Sequence, residues 1–212
     1  MKSLFIGFFL LVFATAAEDL QWDKTNFSYK AKLADKGVSF TFKVKNKSAN
    51  VITISKGKSS CACMTLQTKF PLALKAGEEK TINAHYDFTG KIGLNKGTIY
   101  ITLPNKKLEL GVEVDIPVPV TISPRFIIWK KGDRSDKEFK INLHPDYKGS
   151  IDSAGPSDPK TNIGVSMTKS GLEYTVKISP PQNANKKRTW VLVQGKTAEG
   201  KDEEYRIYLI FN

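Results

Sequence analysis

Apolar and polar residues alternate along most of this chain. Across residues 37–46, Val38, Phe40, Phe42 and Val44 interleave with Ser39, Thr41, Lys43 and Lys45. A period of two sends alternate side chains to opposite faces, so the stretch predicts a strand with those four residues facing inward. Residues 46–50 read as a polar turn, and the β-branched run 51–54 as the returning strand. Further strands are predicted over 27–33, 72–74, 81–87, 95–103 and 107–116, making seven, with Trp22 as a core anchor ahead of them. No window carries the 3.6-residue stripe of a helix. Short strands separated by turn signals predict an antiparallel sandwich.

The pattern breaks and restarts at Asp115-Ile116-Pro117-Val118-Pro119-Val120. Two alternate prolines remove ladder donors and stiffen the backbone. Residues 125–132 then read as a strand and turn, and further strands are predicted over 138–143, 163–167, 172–178, 189–194 and 205–211, with the C-terminus paired into a sheet. Residues 147–160, rich in Gly, Asp, Ser and Pro, read as a long loop. The expected organisation is a β-sandwich over 18–118 and a second over 121–212.

The first seventeen residues follow a different rule. Lys2 precedes an apolar run from Leu4 to Phe13, and Ala14-Thr15-Ala16-Ala17 supplies small residues for cleavage. This is the layout of a secretory signal peptide, residues 1–17, and the run is too short for a membrane span. The expectation is an exported protein, periplasmic or extracellular, with no transmembrane segment after signal cleavage. Charge adds little. Lys and Arg number 33 against 21 Asp and Glu, a net +12. The lysines are spread evenly and alternate with apolar residues, which implies solvated strand faces and weak attraction to anionic envelope polymers rather than a nucleic-acid site.

Chemistry concentrates in Ser59-Ser60-Cys61-Ala62-Cys63-Met64, which holds both cysteines of the chain. Flanking Gly57, Ser59 and Ser60 place the pair in a loop between 54 and 72. Three readings are open. In an oxidising compartment two cysteines default to a disulfide. A C-x-C ring is small, so it contributes little chain-entropy stabilisation and favours a labile redox pair. As thiolates the two can instead bind copper or zinc, with Met64 and His85 as further ligands and Lys56 and Lys58 lowering the thiol pKa. Met64 as core and His85 as a packed or exposed side chain are the plain alternatives. No catalytic motif is present: there is no G-x-S-x-G, H-E-x-x-H, P-loop or G-x-G-x-x-G. Asp133, Asp136 and Glu138 lack the order of a calcium loop, and His144 reads as a turn residue. Asn26 and Asn46 each open a glycosylation triplet. Trp22, Trp129 and Trp190 are scattered and read as core rather than as a sugar-binding platform.

The order of strand 40–46, strand 52–54, Ser60-Cys61-Ala62-Cys63, Pro71, Ala76-Gly77-Glu78 and Gly90-Lys91-Ile92-Gly93 resembles the bacterial secreted family called "domain of unknown function 1573" over about residues 20–115. Ala62 stands where that family commonly has Gly between the cysteines, and Ala76 where it commonly has Pro. The resemblance implies an immunoglobulin-like sandwich and assigns no activity. The expected protein is therefore all-β, with two tandem immunoglobulin-like antiparallel β-sandwich domains after a signal peptide. Its expected role is an exported, non-catalytic binding or scaffold module of the bacterial cell envelope. It would engage another envelope protein through an edge strand or end loops, without a resident cofactor. The alternative is a periplasmic thiol-redox or copper-binding accessory protein acting through Cys61 and Cys63.

Overall fold

A computed structural model describes residues 19–182 and 188–212. The expected signal peptide lies outside them. The described chain forms two compact units, one from residues 19–29, 36–90 and 95–114, the other from 30–35, 91–94 and 115–212. Among the described residues there is no α-helix; one 3-10 turn spans Pro159–Thr161.

The first unit is built on β1 (Leu20–Trp22), β2 (Asn26–Lys30), β3 (Gly37–Asn46), β4 (Ile52–Ile54), β5 (Lys56–Ser59), β6 (Met64–Leu66), β7 (Leu72–Leu74), β8 (Glu79–Asp87), β9 (Gly93–Thr102) and β10 (Lys107–Ile116). Two four-stranded sheets run in the orders β1-β3-β8-β6 and β2-β10-β9-β5, and β4 pairs with β7. Alternation places Phe40, Phe42 and Val44 of β3 and Ile82, Ala84 and Tyr86 of β8 inside, with Val38 half-buried. Ile99, Ile101, Leu110, Val112 and Val114 face them from β9 and β10. Phe27 of β2 stacks on Phe40 of β3 at 4.4 Å between ring centroids, which locks one sheet to the other.

Asn46 ends β3 fully buried. Its amide donates to the Asn50 and Leu74 carbonyls (2.7 and 2.9 Å) and accepts from the backbone and hydroxyl of Ser48 (2.9 and 2.8 Å). A buried amide with its bonds met fixes the β3–β4 turn and leaves no room for a glycan. Asn26, which opens the other triplet, is exposed.

The second unit contains β11 (Val120–Ser123), β12 (Phe126–Trp129), β13 (Lys137–Leu143), β14 (Ser150–Pro156), β15 (Gly164–Ser170), β16 (Glu173–Ser179), β17 (Arg188–Lys196) and β18 (Asp202–Phe211). Its sheets run β11-β13-β16-β15 and β12-β18-β17-β14. Trp129, Phe139, Ile141, Val176, Ile178, Val191, Val193, Ile207 and Leu209 fill the core. The Trp129 indole N–H donates to the Ser135 carbonyl at 2.8 Å, so the largest buried ring keeps its polar atom paired. The C-terminal strand is paired as expected, with Phe211 in register with Trp129.

Four expectations change. The sandwich is not wholly antiparallel: β12 pairs with β18 in parallel. Period-two patterning reports which face is buried and is silent on strand direction. The supposed loop 147–160 contains β14, an edge strand with a bulge between Ile151 and Ser153, in which only Ile151 is buried. An edge strand is held by ladder bonds on one side and needs little apolar pattern. Trp22 is half-buried on the short edge strand β1, and its indole N–H has no hydrogen-bond partner. Trp190 is 38% exposed on the outer face of its sheet and is no core residue.

Candidate functional site

The loop expected between residues 54 and 72 contains two short strands, β5 and β6, with the cysteines in the turn between them. Ile54 of β4 is buried, the chain turns at Ser55, and β5 joins the edge of one sheet beside β9. After four intervening residues β6 joins the edge of the other sheet beside β8. Cys61 and Cys63 occupy the corner between them, where the chain changes sheets. Both β5 and β6 were missed in the sequence because each is too short to display alternation. Lys56 and Lys58 on the exposed side of β5 are the one visible cue, since charge on an edge strand blocks unwanted pairing.

Cys61 and Cys63 are joined by a disulfide with Cα atoms 5.2 Å apart. Both are half-buried, and Ala62 between them is exposed. Backbone bonds tie the corner to each sheet. Ser60 N–H donates to the Thr98 carbonyl of β9 (2.9 Å), and the Ser60 hydroxyl accepts from Thr98 N–H (2.9 Å). On the other side the Cys63 carbonyl accepts from Asp87 N–H at the end of β8 (2.8 Å). The Cys61 carbonyl accepts from Met64 N–H (3.3 Å) and from the Ser59 hydroxyl (3.0 Å), which closes the turn. The corner is thus a rigid clasp between two open sheet edges.

Met64 lies beneath the clasp, 2% exposed, in register with buried Tyr86. Its methyl packs so close to β9 that a Cβ added at Gly97 would stand 3.0 Å from it, so Gly97 is the residue that admits Met64. His85 faces the other way. It sits between buried Ala84 and Tyr86 on β8, on the outer face of the sheet, opposite Thr65 and Ser39. Its Nδ1 is 3.0 Å from the Ser39 hydroxyl. The structure therefore brings together Cys61, Cys63 and Met64 as neighbours and keeps His85 on the opposite sheet face from Met64. Among the described residues no cluster of three or more His, Cys, Asp or Glu is placed to hold a metal.

Other residues singled out in the sequence have local structural partners. Asp133 accepts from Ser135 and pairs with Lys137, and Asp136 pairs with Lys177. The Ser135 and Lys137 bonds hold the Asp133 carboxyl well below the usual carboxylate range. His144 Nδ1 accepts from Asp146 N–H at 3.2 Å, within a turn.

Facing sheets with a stapled sheet-changing corner define an all-β sandwich protein. Residues 20–116, which hold that corner and both sheets of the first unit, match the family described as "Protein of unknown function (DUF1573)". No protein of curated function matches it. Among solved structures, a protein of unknown function from Porphyromonas gingivalis W83 is 10% identical, with 91% of this chain and 99% of that one covered, at a TM-score of 0.39. The ASH/PapD-like domain 7 of human CEP192 is 6% identical over 55% of this chain and 99% of that one, at 0.39. The Vibrio cholerae VesB protease is 17% identical at 0.38, and the match covers 46% of this chain and only 32% of the protease.

No helix among the described residues is long and apolar enough to cross a membrane. Positive φ at Gly90 (74°) and Gly93 (71°) explains the G-x-x-G signature, since a side chain at either position would be strained.

Proposed function

We propose that this protein is an exported, non-catalytic β-sandwich module of the bacterial cell envelope. Residues 1–17 act as its signal peptide, and 18–118 and 121–212 are its domains. It holds another envelope protein at the clasp end of the first unit. The observation that carries the reading is the corner itself: two edge strands, each with one unpaired side, are fixed by a disulfide and by hydrogen bonds to both sheets. A rigid edge presents backbone donors and acceptors to an incoming strand at low entropic cost. The disulfide also supports an oxidising compartment.

A photo-crosslinking residue at exposed Ala62, expressed in the native host, tests the proposal. A discrete adduct is expected from Ala62 and not from Asn105, which lies in the exposed loop between β9 and β10. No adduct, or the same adducts from both positions, overturns it.

A second reading rests on the half-exposed position of the disulfide. As a redox pair, Cys61 and Cys63 would exchange with an incoming thiol; once reduced, they would offer two thiolates to copper. Met64 could then serve only by leaving the core, and His85 only from the opposite sheet face. A chelator-resistant Cu(I) complex weakened by Met64→Leu would favour this branch over the binding module.

A further inference from the structure

The outer face of the sheet β12-β18-β17-β14 carries a row of aromatic residues that the core does not use. Phe126, Tyr208 and Trp190 stand at one level on three adjacent strands and are 61%, 42% and 38% exposed. Ile128 is 47% exposed, and Ile210 and Leu192 are half-buried beside the row. So much contiguous apolar surface on a soluble sheet face marks a contact site, and Trp, Tyr and Arg are the residues that dominate such contacts.

The arrangement of the rings speaks against a flat sugar ligand. Phe126 and Tyr208 stack at 5.3 Å with planes 17° apart, and the Arg206 guanidinium covers Trp190 at 5.8 Å, so their π faces are largely occupied.

Three of the five outward-facing levels across β17 and β18 pair complementary side chains, and at the other two an arginine faces an apolar residue, Arg188 at Ile210 and Arg206 at Leu192. Trp190 stands opposite Tyr208, Gln194 opposite Glu204 and Lys196 opposite Asp202. The last two pairs are bonded, Gln194 to Glu204 at 3.4 Å and Lys196 to Asp202 by an ion pair. A two-fold axis parallel to the strands, between β17 and β18, exchanges the two strands at constant level. It lays Asp202 of one copy on Lys196 of the other, and Tyr208 on Trp190. At those three levels the face is self-complementary under that axis, which is the requirement of an isologous contact.

We infer that this face is the contact through which two copies of the chain pair, sheet against sheet, with the aromatic row at the centre and the Asp202–Lys196 level at the rim.

Sedimentation equilibrium of the purified mature chain at about 0.15 M salt tests this, since the positive charge of each copy is then screened beyond roughly 8 Å. A reversible dimer is expected, and Phe126→Ser with Tyr208→Ser should leave monomer. Asp202→Lys and Lys196→Asp should each weaken self-association about tenfold or more by placing like charges at the rim. Mixing those two variants should restore a dimer containing one copy of each. That rescue reads the intermolecular contact alone, because neither chain regains its own pair, and all four substitutions lie on exposed positions. A chain that stays monomeric up to about 0.1 mM, a dimer indifferent to the serine pair, or charge variants that do not rescue each other overturn the proposal. A monomer whose Trp190 fluorescence responds to polygalacturonate would reassign the face to an anionic glycan.

Discussion

Thr41 and Phe42 are neighbours in sequence and opposites in the fold: one is exposed, the other has no exposure at all. Phe42→Ala removes a ring from a close-packed core and should cost about 3–5 kcal/mol, whereas Thr41→Ala should cost less than about 1 kcal/mol. Equal losses in denaturant unfolding would show the faces to be misassigned. At alkaline pH the sensitive residues are Tyr147 and Tyr205. Burial pushes the Tyr147 phenol up to about 12, helped by its 2.9 Å hydrogen bond to the Glu203 carboxylate. Burial and Glu203 also raise Tyr205. An unfolded tyrosine ionises near 10, so between about pH 10 and 12 the folded chain keeps a proton that the unfolded chain has lost. Stability from these phenols is fully present below pH 10 and falls as pH rises through that window. Melts recorded from pH 8 to 11.5 should show the decline, and Tyr147→Phe should flatten it.

At the scale of elements, the clasp joins strands that belong to different sheets, and its ring spans a sequence separation of only two. A loop that small removes little entropy from the unfolded chain. Replacing both cysteines with Ser should therefore cost no more than about 1.5 kcal/mol, because the corner keeps its bonds to Thr98 and Asp87. The same small ring is expected to reduce at a potential well above the roughly −300 mV of structural bridges. A titration near that value together with a large loss of stability would make the clasp ordinary architecture and remove the redox reading.

For the whole molecule, the break at Pro117 and Pro119 falls between β10, which ends at Ile116, and β11, which starts at Val120. Each half supplies its own four-stranded sheets and its own buried residues. Fragments 18–118 and 121–212, expressed separately, should each melt cooperatively with β-type circular dichroism. If neither does while the whole chain does, the halves are a single folding unit.

The sequence by itself determined the all-β class, the inward face of β3, the long strands β8, β9, β10, β13, β16, β17 and β18, and the turn that holds the cysteines. Each rests on local alternation or on turn chemistry, which act over a few residues. Short or edge elements were out of reach. β5, β6 and β14 are held by ladder bonds to strands about 20 to 45 residues away, and a ladder bond leaves no mark in side-chain pattern. Tertiary structure alone decided that Met64 turns inward while His85 turns outward, because the choice depends on where each strand enters its register. It also decided the fate of Trp190. Read in one dimension the tryptophan looks like another core anchor; registered beside Tyr208 and Phe126, it becomes part of a surface. A one-residue step along β17 separates that exposed ring from fully buried Val191, and only pairing with the neighbouring strands sets which of the two faces the core.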